Sequence, residues 1–367
     1  MTLLSTSIKA QVISPTDTEW QKYLDLLPHD FYHLPGYLEL ESQRHQGQAE
    51  AIAIEDGDRV FFLPYIVREC PENLDRFQFS SKPIYDVISP YGYPGMLIDR
   101  AGQNSQFIEK CLNIVHECWY AKNICSAFLR LHPTLNDYID PALSNPDRFV
   151  ITTRGDVVIC DLTNDTETIW KQIRSSHRTK INKLKRAGFV AKMVSIDSLD
   201  LFIEIYTETM QRVNANSAYF FTRAYFQQLF PALGDRLHIC LVEIDGETAA
   251  ASLVTEVNGI VQYHLGGTKT KFLSQSPTTL MFDYMMNWGK QRGNNYLNLG
   301  GGLGSNRDSL YHFKSGFSDR SASFMTMQSI INRELYNYLI HSRAATLSKP
   351  VAEFEQTAFF PAYRSPS

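Results

Sequence analysis

Tyr296-Leu297-Asn298-Leu299-Gly300-Gly301-Gly302-Leu303-Gly304 opens the stretch that decides the fold, and Phe313-Lys314-Ser315-Gly316-Phe317 closes it. The apolar residues of 296–299 predict a strand, which the glycine run ends. Glycines let backbone come close to a ligand and turn N–H groups toward an anion. Asp308 sits where it can cap a short helix carrying Leu310, Tyr311, Phe313 and Lys314, with Gly316 as its stop. The run is not a Walker loop, since no Gly-Lys-Ser/Thr follows, nor the dinucleotide fingerprint, since no helix opens directly on it. On the residues alone, Lys314 is either a surface lysine whose stem covers Phe313 and Phe317 or a fixed positive charge beside a ligand-facing loop.

The flanking sequence supplies an α/β frame. A helix over 277–291 has Pro277 at its entry and Arg292-Gly293 at its exit. Before it, strands over 237–244, 247–257 and 260–265 are joined by Asp245-Gly246 and Asn258-Gly259 and end at Gly266-Gly267. Further upstream the spacing predicts a helix over 197–213, a strand over 190–194, and one long helix from Asn164-Asp165 to Ala187, stopped by Gly188. Downstream come a strand over 322–331 and a helix over 333–345. The N-terminal half follows a similar plan. Helices over 17–27 and 35–44 lead into a hairpin of 49–55 and 60–67 about Asp56-Gly57, then a helix over 104–121 and a strand over 126–131. The expected division is a first domain of 1–155, a second of 156–345, and a loose tail of 346–367.

Composition excludes several classes. The 367 residues are 44% apolar and 20% charged with net charge -4, so the chain is globular and not a general polyanion binder. Its six cysteines form no CxxC pair and no zinc spacing, and they sit in apolar runs such as Val157-Val158-Ile159-Cys160. No signal peptide and no apolar run of membrane-spanning length is visible, so a cytoplasmic location is expected.

The ordered blocks Thr209-Met210-Gln211-Arg212, Arg223-Ala224-Tyr225-Phe226, Tyr263-His264-Leu265-Gly266-Gly267, Leu280 to Trp288, Tyr296 to Gly301 and Phe313 to Phe317 resemble the Fem-type peptidyl transferases and their acetyltransferase-like relatives. Ser89-Pro90-Tyr91-Gly92-Tyr93-Pro94-Gly95 is similar to a stretch of their first domain. The resemblance spans about residues 15–330. It implies two tandem GNAT-like acyltransferase domains, each a mixed, mostly antiparallel sheet flanked by helices. It further implies an amide-forming enzyme that moves an aminoacyl group from aminoacyl-tRNA to an amine, with no resident cofactor and no metal. The long helical hairpin that many cell-wall members insert in the second domain is missing here.

The resemblance assigns catalysis to Lys314, as the charge that stabilises a tetrahedral oxyanion. It places substrate contacts at Phe313, Arg212, Arg223, Tyr263, His264, Gly301 and Gly302. In the first domain Tyr85, Asp86 and Tyr91, among Tyr32, His33, Tyr37 and Tyr93, could form an aromatic wall for a sugar or peptide acceptor, or could be core aromatics. Residues 171–186 carry seven basic side chains, one histidine and no acid. On one continuous helix Lys171, Arg174, Arg178 and Lys185 would fall in a row suited to the phosphates of tRNA or a carrier. His177, in the apolar stripe, reads as a packed histidine. The stretch 266–272 lacks the glycine spacing of the pyrophosphate loop that acetyl-CoA enzymes use. An acyl-CoA or carrier-protein thioester donor is therefore the alternative, and a non-catalytic RNA- or glycan-binding protein on the same fold is the third reading.

Overall fold

The computed structural model describes residues 8–70 and 82–366. They form two compact units, one of Met1–Arg154 with Phe324–Ser367 and one of Gly155–Ser323.

In the first unit, β2 (Gly47–Asp56) and β3 (Arg59–Glu69) make the hairpin that Asp56-Gly57 announces, with Gly57 at φ +70°. β1 (Lys9–Ile13) adds to β2, while β4 (Tyr85–Ile88) and the short β5 (Leu97–Ile98) add to β3. β6 (Ile124–Arg130) runs parallel to β4. Helix α1 is Thr18–Leu26 and α2 is Pro35–Arg44. Helix α3 (Ser105–Ala121) turns Phe107, Ile108, Cys111, Leu112, Val115 and Trp119 into the core, a stripe at helical spacing.

The chain leaves this unit within β7 (Val150–Asp161). The second unit then adds α4 (Thr166–Gln172), α5 (Ser175–Arg186), β8 (Val190–Val194), α6 (Leu199–Arg212) and α7 (Arg223–Leu233). Its meander is β9 (Leu237–Ile244), β10 (Glu247–Val257) and β11 (Ile260–Thr268). Helix α8 (Thr278–Gln291) crosses over to β12 (Tyr296–Gly300), and α9 (Ser309–Lys314) follows. The strand order is β7-β12-β11-β10-β9-β8. β11 and β12 are parallel; the other neighbours in this order pair antiparallel. One face packs on α4, α5, α8 and α9, and α6 lies against β10 and β11. No helix among the described residues is long and apolar enough to cross a membrane.

Three expectations are corrected. The helix predicted from 165 to 187 is two helices. Ile173 (ψ 129°) and Arg174 (ψ 139°) are extended between α4 and α5. Arg178 Nη1 donates to the carbonyls of Lys171 at 2.9 Å and Ile173 at 2.7 Å, serving groups the break strips of helical partners. Arg174 N–H donates to Gly316 O at 2.7 Å instead of continuing the helix. The row of Lys171, Arg174, Arg178 and Lys185 on one helix therefore does not exist.

The second correction concerns the boundary at 345. β13 (Ser321–Ile330) and α10 (Arg333–Leu347) group with the first unit, because Thr326–Ile330 ladder onto β6. Third, the tail is not loose. It forms α11 (Val351–Glu355) and buries Phe354, Ala362 and Tyr363.

Asp86, expected on an acceptor wall, is instead 1% exposed. It accepts from Arg68 Nε at 2.9 Å and Tyr363 Oη at 3.1 Å, and it pairs with Arg364. A buried carboxylate needs such partners, so Asp86 anchors the tail. Replacing it with alanine leaves two guanidinium groups uncompensated. Asp86→Ala should cost about 3–5 kcal/mol in urea unfolding; a loss under about 1 kcal/mol, the worth of an exposed pair, would contradict this role.

Candidate active site

β11 and β12 pair over three positions only: Ile260 with Tyr296, Val261 with Leu297 and Gln262 with Asn298. β11 continues to Thr268, but β12 turns away at Gly300, which has φ +75°. Gly300 N–H donates to Asn298 Oδ1 at 2.7 Å, so the asparagine side chain takes the place of a ladder partner. The two parallel strands thus part at their carboxyl ends, the place where open α/β sheets bind ligands. On β11, the register with β10 shifts between Leu253 and Val254, leaving His264 as the extra residue of a bulge.

The glycine loop follows. Asp308 Oδ2 accepts from Leu303 N–H at 3.0 Å and Oδ1 from Tyr311 N–H at 2.9 Å, so one carboxylate holds the loop and caps α9. A Cβ at Gly302 would overlap Asn306 O and Asp308 Oδ1, and one at Gly301 would press on Asp156 O. Those two glycines are needed for close approach.

Helix α9 carries Lys314 back to the loop. Its Nζ donates to Gly301 O at 2.8 Å and lies 5.7 Å from the centroid of the Tyr263 ring. Lys314 is 6% exposed. Burial lowers its pKa from the ordinary 10.5 to about 8, and the nearby Asp308 charge partly opposes that shift. The surface-lysine reading is therefore excluded. Phe282 packs against Tyr263, Phe313 and Phe317, edge-on to the first and last, forming the wall behind the ammonium. Burial also pushes the Tyr263 phenol up and holds His264 neutral, at about 3.

His177 donates from Nε2 to Phe313 O at 2.9 Å and packs on Phe313 and Phe317, as a core histidine should. Arg212 donates to Thr268 O at 3.0 Å and Thr270 Oγ1 at 3.1 Å, fastening the end of β11. Arg223 pairs with Asp200 on the surface. Lys171 pairs with Glu167 and Lys185 with Asp283. In the first unit, Tyr85 packs against the core, and Tyr91 N–H donates to Glu41 Oε2 at 3.0 Å. The structure thus gathers Lys314, Phe313, Tyr263, Gly301 and Gly302, and sets Arg223, Lys171 and Lys185 into ion pairs of their own.

A polar row escaped the sequence reading. Thr255, Gln262 and Asn298 are paired neighbours on β10, β11 and β12, all buried, on the sheet face opposite Leu297 and Leu299. Thr255 Oγ1 and Asn298 Nδ2 have no hydrogen-bond partner among the described residues. Asn298 between Leu297 and Leu299 was the available signal.

The acetyltransferase (GNAT) domain family model matches residues 171–326. Over that stretch the chain is similar to GNAT acetyltransferases. Solved structures extend the likeness in fold beyond it. FemX is 14% identical with a TM-score of 0.67, over 90% of this chain and 99% of its own. L-PGS from Bacillus licheniformis is 15% identical with a TM-score of 0.53, over 91% and 98%. The C-terminal domain of a protein assigned as a lysylphosphatidylglycerol synthetase, from Agrobacterium fabrum, is 12% identical with a TM-score of 0.53, over 84% and 91%. No curated protein matches the sequence.

The lysine has a thermodynamic signature. Its folded pKa lies below its unfolded value, so between about 8 and 10.5 the unfolded chain binds more protons and stability rises with pH. The stability of wild type relative to Lys314→Met should rise with pH across that window. A flat difference in urea titrations from pH 7.5 to 10.5 would contradict the buried ammonium.

Proposed function

We propose that this protein is an amide-forming N-acyltransferase that takes an aminoacyl group from aminoacyl-tRNA and places it on the amine of a peptide, sugar-peptide or small-molecule acceptor. The observation that carries this reading is the buried Lys314 ammonium held against the glycine loop that ends β12. The acceptor nitrogen attacks the ester carbonyl, and a C–N bond forms. The carbonyl oxygen becomes an oxyanion, which Lys314 stabilises from a water-poor position. Collapse breaks the C–O bond to the ribose. The departing ribose oxygen takes the proton that the amine loses, so no side-chain base is needed. The reaction uses no oxidant and no cofactor.

Phosphate contacts on α5 fall to side chains other than the full row expected. Lys183 and Arg186 are exposed and make no ion pair among the described residues, and Arg174 is exposed at the break. These would follow the RNA backbone, as would Lys180. The names of two structural neighbours, FemX and a lysylphosphatidylglycerol synthetase, are compatible with aminoacyl chemistry.

A thioester donor is the second reading, and the match to the acetyltransferase family model favours it. Local packing weighs against acyl-CoA. Gly267 is required because a Cβ there would strike Thr209 Oγ1 and Ile205 O, while Lys269 and Lys271 pair with Glu204 and Glu247. The junction of β11 and α8 is thereby explained without a pyrophosphate.

The test offers radiolabelled aminoacyl-tRNA and acyl thioesters in parallel, with and without ribonuclease. Product should form from the aminoacyl-tRNA and vanish on ribonuclease treatment. Turnover of thioesters alone would overturn the tRNA reading. Lys314→Ala should lower kcat about 10²–10³-fold. The wild-type rate should fall as pH rises through about 8, where the ammonium is lost. Near-normal turnover by Lys314→Ala would remove Lys314 from the mechanism.

A further inference from the structure

The first unit has a cavity of about 320 Å³ beneath its C-terminal segment. One wall is apolar, from Ile340 on α10, Phe354 on α11 and Phe359 beyond it. The other wall is polar, from Arg148, Ser329 and Arg333. Two donors there are unused. Arg148 Nη1 is buried and has no hydrogen-bond partner among the described residues. Ser329 is 3% exposed and its Oγ is likewise without a partner. Arg333, in the first turn of α10, makes no ion pair among the described residues.

A native protein rarely leaves a buried charged donor and a buried hydroxyl unmet on residues that line one cavity, because each has lost its water. The pair has a chemical meaning. A guanidinium N–H and a hydroxyl facing one space can each donate to a carboxylate oxygen. The Glu355 carboxylate also lines the cavity, so the lining carries two cations and one anion. That balance suits a ligand with a single negative charge better than a phosphate dianion. The aromatic and aliphatic wall fits an apolar substituent on the same molecule.

We propose that this cavity is a binding site for a monocarboxylate bearing an apolar group, with Arg148 and Ser329 holding the carboxylate and Ile340, Phe354 and Phe359 enclosing the rest. The same chemistry is offered by a free aryl or alkyl acid and by the C-terminal residue of a peptide. The site is independent of Lys314 and of the donor assigned above, so either can fail alone.

Calorimetric titration of the full chain tests it, using 3-phenylpropionate for the free acid, N-acetylphenylalanine for the peptide terminus, and 3-phenylpropanamide as the uncharged control. At least one acid should bind saturably, and the amide should bind at least ~10-fold more weakly, as loss of a charged hydrogen-bond partner requires. The tighter of the two acids identifies the source. Arg148→Met should weaken the acid by at least ~10-fold, and Ser329→Ala by a smaller factor. Arg333→Gln, on an exposed side chain, serves as a folded control with a modest loss. Equal binding of acid and amide would overturn the proposal. So would undiminished binding by folded Arg148→Met, or no saturable binding of either acid to wild type.

Discussion

Lys314 brings an ammonium into the protein and gives one of its N–H groups to the carbonyl of Gly301. A buried lysine is costly unless something holds it, so the surroundings must be arranged around that charge. The carbonyl is reachable because Gly300 turns the chain out of β12 with positive φ, and Gly301 and Gly302 carry no side chains to obstruct the loop. Asp308 fixes the far side of the loop and starts the helix that ends in Lys314. Helix α9 has only six residues, too few to persist alone. Its cap, its lysine and the aromatic wall behind it keep it in place.

The same requirement explains the break in the basic helix. α5 approaches α9 closely enough for His177 to donate to Phe313 O and for Arg174 N–H to donate to Gly316 O. A Cβ on Gly316 would strike the His177 ring. A continuous helix would have used the Arg174 N–H internally. Instead the chain is extended at 173–174 and Arg178 takes up the stranded carbonyls. Charge on α5 is thus partly structural, which residue type alone does not reveal.

Local signals were read well where they act locally. Asp56-Gly57 marks its hairpin, Pro35 opens α2, and Asp308 caps α9 as its spacing suggests. The lysine was visible as a residue, but its burial depends on Tyr263 and Phe282, distant in sequence. Periodicity could not reveal the break, because Ile169 on α4, Ile173 at the break and Ile181 on α5 are all buried in one core. Asp86 looked like part of an aromatic surface because its partners, Arg68, Tyr363 and Arg364, lie far along the chain. The tail looked loose because its Pro and Ser residues break any helical or strand period, and the burial of Phe354 and Tyr363 depends on distant partners. The late partner of β6 was hidden for a similar reason, since nothing near residues 322–331 names the strand they join.

That last pairing bears on how the chain is made. β13 fills the place beside β6, yet residues 155–320 lie between the two strands in the chain. During synthesis the first unit waits with the β6 edge unfilled until the ribosome has passed residue 330 and the tail that anchors on Asp86 has emerged. An open strand edge is a template for unwanted pairing. A chain released before residue 330 would leave β6 without this partner and its edge open.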